Sequence, residues 1–142
     1  MLVFSIILSM SFFFVGGMIY LLFRTEKLIM FEWSEYIGLG DYIRYLRENV
    51  AGYFLYPWVK YSLPDGLWVL SYMIFIGAIW KFEIRKSCFY MLLLTTISVM
   101  SELLQLFDLL NGTFDIVDLA FYISASILGI LYIKLLNSYS NE

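Results

Sequence analysis

Four apolar runs of 20 residues or more constrain this chain more than any other feature: Leu2–Phe23, about Leu63–Phe82, Cys88–Phe107 and about Asp115–Leu136. At about 1.5 Å per residue, each reaches roughly 30 Å, the thickness of a bilayer's hydrocarbon core. Hydrophobic residues make up 62% of the chain and charged residues only 15%, which removes it from the soluble globular class. The expectation is an all-α fold: a four-helix transmembrane bundle in which residues 1–142 form a single integral membrane domain. The first run has no positively charged flank before it and no small-residue cleavage site. It is also longer than the apolar core of a signal peptide, so it reads as a retained span.

The same sequence excludes several chemistries. It has no histidine, which removes His-based acid–base catalysis, Ser-His-Asp triads and most zinc sites. Its one cysteine, Cys88, cannot form an internal disulfide and reads as a small buried hydrophobe. The net charge of −3 is scattered, so no nucleic-acid footprint is present and membrane lipids are the expected surroundings.

Residues 24–61 break the apolar pattern and read as an interfacial segment carrying Arg24, Glu26, Lys27, Glu32, Glu35, Arg47 and Lys60. From Asp41, a plausible N-cap, the residues Ile43, Leu46, Val50 and Phe54 recur at helical spacing, and Arg44 and Glu48 are set to pair at i, i+4. The expectation is an amphipathic helix between spans one and two. Its aromatic cluster (Tyr53, Phe54, Tyr56, Trp58, Tyr61) suits a membrane interface. An anchor lying on the membrane and a lid over a polar site are both open readings.

Polar residues within the spans are costly and therefore informative. Ser5, Ser9 and Phe12 lie along one side of span one, a stripe suited to close helix packing. Pro64 reads as the first residue of span two, so Asp65 falls in its first turn, where it either complements the helix dipole or belongs to a site. Ser98, Glu102 and Gln105 share a face of span three, with Ser101 alongside, and Asn111-Gly112 marks the following turn. Asp118, Tyr122 and Ser126 share a face of span four, while Ala125 and Gly129 offer small surfaces to a neighbour. Asp115 reads as an N-cap or as a further site residue. The tail from Asn137 to Glu142 is polar and expected to fray.

Antiparallel threading of four spans puts Asp65, Glu102, Gln105 and Asp118 at one membrane face, with Glu102 and Asp118 at similar depth. Such a carboxylate pair would bind a cation, share a proton or hydrogen-bond a polar ligand. Snorkelling, or mutual satisfaction through Ser98, Gln105 and Tyr122, is the structural alternative. Both termini lie on the opposite side; the short basic turn Lys81–Lys86 together with Lys134 argues that this side is cytoplasmic, and the first loop with its five basic residues, which counts against that side, would then lie outside.

These residues also carry a resemblance. Glu102-x-x-Gln105, a Gly-containing turn, and Phe114-Asp115-x-x-Asp118 leading to Gly129 resemble the VanZ-like family of small polytopic bacterial membrane proteins. That family's pattern is E-x-x-Q followed by D-x-x-x-N-x-x-G-x-x-x-G. Glu102, Gln105, Asp118 and Gly129 match it. Tyr122 stands at its Asn and Ala125 at its first Gly, and the family's D-K-x-x-H becomes Asp65-Gly66-Leu67-Trp68-Val69. The family takes its name from a protein associated with low-level teicoplanin resistance, so the resemblance implies the cell envelope and the bacterial cytoplasmic membrane.

The combined expectation is an acidic pocket at the outer leaflet, beneath the first loop. It is lined by Glu102, Gln105, Asp118, Asp65, Asp115 and Tyr122 and binds a lipid head group, a cell-wall precursor or a glycopeptide antibiotic. No catalytic residue is identified and no cofactor is expected. If a divalent cation binds, Glu102 and Asp118 are its ligands. The alternatives are a structural subunit of a membrane complex and a metal-dependent lipid-phosphate hydrolase.

Overall fold

A computed structural model describes residues 1–26 and 28–140. Lys27, Asn141 and Glu142 lie outside the described residues. The elements are α1 (Leu2–Phe23), α2 (Ile29–Tyr36), α3 (Gly40–Val50), α4 (Pro57–Ile79), α5 (Ile84–Leu106) and α6 (Ile116–Ser140), with no strand among the described residues. Four of them, α1, α4, α5 and α6, are long and apolar enough to cross a membrane. This is an all-helical, multi-span membrane protein.

α4 is the central helix, and it packs against α1, α5 and α6. Half of its most apolar stretch is buried, against 17% in α1 and in α5, whose outer faces carry exposed residues such as Phe4, Phe14, Phe89 and Ile97. An apolar side chain gains nothing by leaving lipid, so the helices are held by close approach and by hydrogen bonds instead. Small residues permit the approach. A Cβ on Gly16 would stand 2.8 Å from Trp68 Nε1 and 3.1 Å from the Pro64 carbonyl oxygen, and one on Gly129 would stand 2.9 Å from Met73 Cβ. Hydroxyls supply the bonds. Ser9 Oγ donates to the Ser71 carbonyl and Ser71 Oγ to the Ser9 carbonyl, each at 2.8 Å, which locks α1 to α4. Ser5 pairs with the Tyr132 hydroxyl at 2.8 Å, and Thr95 with Ser126 at 2.6 Å. The expected packing roles of Ser5, Ser9, Ala125 and Gly129 are those observed, with Ala125 buried.

Several boundaries differ from expectation. Span one is as read. Span two starts six residues earlier than Leu63, because Pro57, not Pro64, is the proline at the helix start. Pro64 lies inside α4, where close packing on α1 at Gly16 accommodates it. Asp65 is therefore absent from the first turn. It sits eight residues into the helix, about 12 Å from its start, and the helix-dipole explanation for it lapses. Span three starts at Ile84, so the basic turn shrinks to Trp80–Glu83, and α6 continues through Ser140 where fraying was expected.

The interfacial segment holds two helices rather than one. α2 is too short for a helical period to register in the sequence. A reversal through Gly38, at φ +76°, turns the chain into α3. The N-cap of α3 is Leu39, and Asp41 lies in the first turn without capping it. Arg44 pairs with Glu35 and, at 2.6 Å, with Asp41, in place of the expected Glu48. Phe54 lies beyond the helix and is exposed. Arg47 ties the segment down. Its Nη1 donates to the Leu21 carbonyl at 2.6 Å, its Nε lies 3.2 Å from Glu26, and it stacks on Phe31. A cation on the last carbonyls of α1 is favourable both as a cap and against the helix dipole.

Candidate functional site

Three helix ends and the middle of a fourth helix meet at one face of the bundle: the C-termini of α1 and α5, the N-terminus of α6, and the second and third turns of α4. α4 runs antiparallel to α1, with Ser9 against Ser71 and Gly16 against the Pro64 carbonyl, so Tyr61 and Asp65 come level with the end of α1 and form one wall of a recess. The recess is a cavity of about 480 Å³. All six residues anticipated from the sequence line it: Asp65, Glu102, Gln105, Asp115, Asp118 and Tyr122.

Each side chain has a local reason for its position. Asp115 is the residue before α6, and its Oδ1 accepts the Val117 N–H at 2.8 Å, the geometry of an N-cap. Its own N–H donates to Glu102 Oε2 at 3.2 Å, so α5 and α6 are joined at their polar ends. Glu102 is only 4% exposed. The end of α5 is a Schellman turn: Asp108, at φ +55°, donates its N–H to the Gln105 carbonyl, and Leu109 donates to that of Leu104. The loop then passes over Gln105 at Gly112. There φ is +146° and an added Cβ would stand 2.7 Å from the Gln105 amide carbon, so only glycine allows the approach.

Asp118 is one turn deeper. Its Oδ1 is buried with no hydrogen-bond partner among the described residues, a state shared there only by Ser62 Oγ. A buried, unpartnered carboxylate oxygen is costly and calls for a physical reason. Mutual satisfaction by Ser98, Gln105 and Tyr122 is not what the structure shows: the Ser98 carbonyl accepts from Ser101 Oγ, and the hydrogen bond to Glu102 comes from the Asp115 backbone.

The residue that the sequence reading missed is Arg24. It lies 3.9 Å from Asp65 Oδ2 and spreads over the rings of Tyr20 (4.7 Å) and Tyr61 (5.4 Å). Arg24 and Tyr61 both line the cavity. The available signal was its place as the first charge after span one, at the face to which Asp65 had already been assigned. Ser101, Gly112 and Thr113 complete the lining, and no residue of α2 or α3 contributes. Of the segment 24–61, Arg24 and Tyr61 reach the cavity, while the expected amphipathic lid helix, α3, does not line it.

The cavity sets four acids against one arginine, with amide and hydroxyl groups between them. Among the described residues no three Asp, Glu or Cys side chains are placed to hold a metal ion. The donor set suits a ligand that brings its own hydrogen-bond donors or positive charge. No family model, no curated protein and no solved structure matches this chain.

Proposed function

We propose that this chain is a VanZ-like protein of the bacterial cytoplasmic membrane, and that its cavity binds the polar head of an envelope molecule: a lipid head group, a cell-wall precursor or a glycopeptide antibiotic. The observation that carries this reading is the donor set of the cavity, where Asp65, Glu102, Asp115 and Asp118 meet a single arginine and Asp118 Oδ1 has no hydrogen-bond partner among the described residues. In this reading Glu102 and Asp118 accept hydrogen bonds from the ligand, Gln105 orients it, Arg24 balances any anionic group, and Tyr122 closes the floor. The termini and the short basic turn with Lys81 are then cytoplasmic, and the cavity, with the first loop and its five basic residues, is at the outer leaflet.

The experiment is native mass spectrometry of the purified wild type beside a Glu102→Ala/Asp118→Ala variant. A discrete bound mass present in the wild type and lost in the folded variant supports the ligand site and names the ligand. Identical spectra from two folded proteins overturn it. That result would favour the structural-subunit reading, which the Glu102–Asp115 hydrogen bond supports. For a metal-dependent hydrolase, no group of three Asp, Glu or Cys side chains is preassembled among the described residues.

A further inference from the structure

A second recess lies on the same face of α4. It is a groove of about 300 Å³ between α1, α4 and α5, bordered by Met10, Phe13, Trp68, Tyr72, Phe75 and Leu94. Tyr61, Asp65, Trp68, Tyr72 and Phe75 follow one another at spacings of four and three, so a single stripe of α4 runs from the polar cavity into the groove. The aromatic contacts are continuous along that path. Arg24 lies over Tyr20 at 4.7 Å, Tyr20 meets Trp68 at 5.2 Å, and Trp68 meets Phe13 at 6.4 Å.

The two recesses differ in how their polar atoms are used. In the groove they are engaged with protein: Ser9 and Ser71 bond each other's carbonyls, Trp68 Nε1 donates to the Phe13 carbonyl at 3.2 Å, and the Tyr72 hydroxyl donates to the Tyr90 carbonyl at 2.8 Å. A hydrocarbon chain lying there strands no polar group. In the cavity, acids and a cation line open space, and behind it Asp118 Oδ1 has no hydrogen-bond partner among the described residues. One recess suits a chain and the adjoining one a head carrying both charges, with Trp68, at the middle of α4, heading the groove.

We propose that cavity and groove form one continuous site for an amphiphile: a head group bearing an ammonium and a phosphate sits among Glu102, Asp118 and Arg24, and one hydrocarbon chain runs down the Trp68–Phe75 stripe of α4. This rests on the head-group reading above and adds the chain, the route it takes and the zwitterionic chemistry of the head. Ammonium hydrogens satisfy the carboxylates, and the phosphate lies on the arginine side.

The test uses the full chain in phosphatidylglycerol nanodiscs, which supply no ammonium. The probes are oleoyl lysophosphatidylethanolamine and its chain-free head, glycerophosphoethanolamine. Met10→Trp and Leu94→Trp fill the groove from two different helices, and Met10 is already exposed, so at least one variant retains wild-type helicity and melting temperature. We expect the lipid to bind the wild type at least tenfold more tightly than its head alone. Each folded groove variant lowers lipid affinity at least tenfold and leaves head affinity unchanged, while Glu102→Ala/Asp118→Ala abolishes both. Equal affinity for lipid and head, with groove variants neutral, overturns the chain route and leaves the head site standing. Lipid binding that survives loss of both carboxylates overturns the link between the two recesses. Failure of either probe to bind the wild type overturns the amphiphile itself, whatever mass co-purifies with the protein.

Discussion

The guanidinium of Arg24, the first residue beyond α1, lies 3.9 Å from the carboxylate of Asp65, eight residues inside α4. Both side chains are about four-fifths buried, and the arginine is held on its other side by two tyrosine rings. An acid at that depth is expensive to leave alone, and the arginine is placed to offset it. Arg24→Gln should therefore destabilise the protein more than Arg24→Gln/Asp65→Asn, because the single change strands the acid. A double-mutant cycle on reversible unfolding in detergent should return a coupling of about 1 kcal/mol. Additive effects would mean that the two groups are solvated independently.

A second consequence concerns the loop across Gln105. Gly112→Ala meets both a positive φ and the Gln105 amide, so it should cost about 2 kcal/mol. Asn111→Ala beside it should cost less than half as much. Thermal unfolding of the two variants checks this. Ligand retention should fall in the first alone, because Gln105 has to move.

The chain also carries strain that can be relieved. Lys81 and Asp108 end α4 and α5 in the left-handed region, at φ +50° and +55°, each as the hinge residue of a Schellman turn usually held by glycine. Asp108→Gly and Lys81→Gly should each stabilise by about 1 kcal/mol, since a side chain there costs roughly that much. A higher midpoint of thermal unfolding for both, with unchanged binding, is the expected result.

What the sequence made legible follows from which forces act alone. α1 is an uninterrupted apolar run, and nothing competes with the bilayer in setting its ends, so Leu2–Phe23 reads correctly. α4 begins among polar and aromatic residues that resemble a loop. Its true start depends on Pro57 and on tolerance of the internal Pro64 by α1, a tertiary effect invisible to local pattern. α2 is shorter than the period needed to detect it. The acids of the cavity were legible because charge is rare in a span. Arg24 was not, because an arginine at a span end is ordinary until the fold places it over Asp65. Polarity within the apolar spans singled out Glu102, Gln105 and Asp118, but it carries no information about the groove below Trp68, whose lining is apolar and depends on how α1, α4 and α5 pack.

The sharpest separation of structure from binding lies within one turn of α6. Asp115 Oδ1 caps the helix, whereas Asp118 Oδ1 is buried without a partner among the described residues. Asp115→Ala should therefore lose about 1 kcal/mol of stability, the usual cost of a missing cap. Its effect on ligand affinity should be small, because Glu102 still receives the backbone N–H of residue 115. Asp118→Asn should do the opposite. It replaces a half-buried carboxylate, one oxygen of which has no partner among the described residues, with an amide of the same shape, so the melting temperature should hold or rise. Ligand retention should fall at least tenfold, because the carboxylate that received the ligand's donor is gone. Melting curves and native mass spectra of the two variants, side by side, read both effects. If Asp118→Asn unfolds the protein while Asp115→Ala weakens binding, the roles of the two acids are reversed and the cavity has been read from the wrong carboxylate.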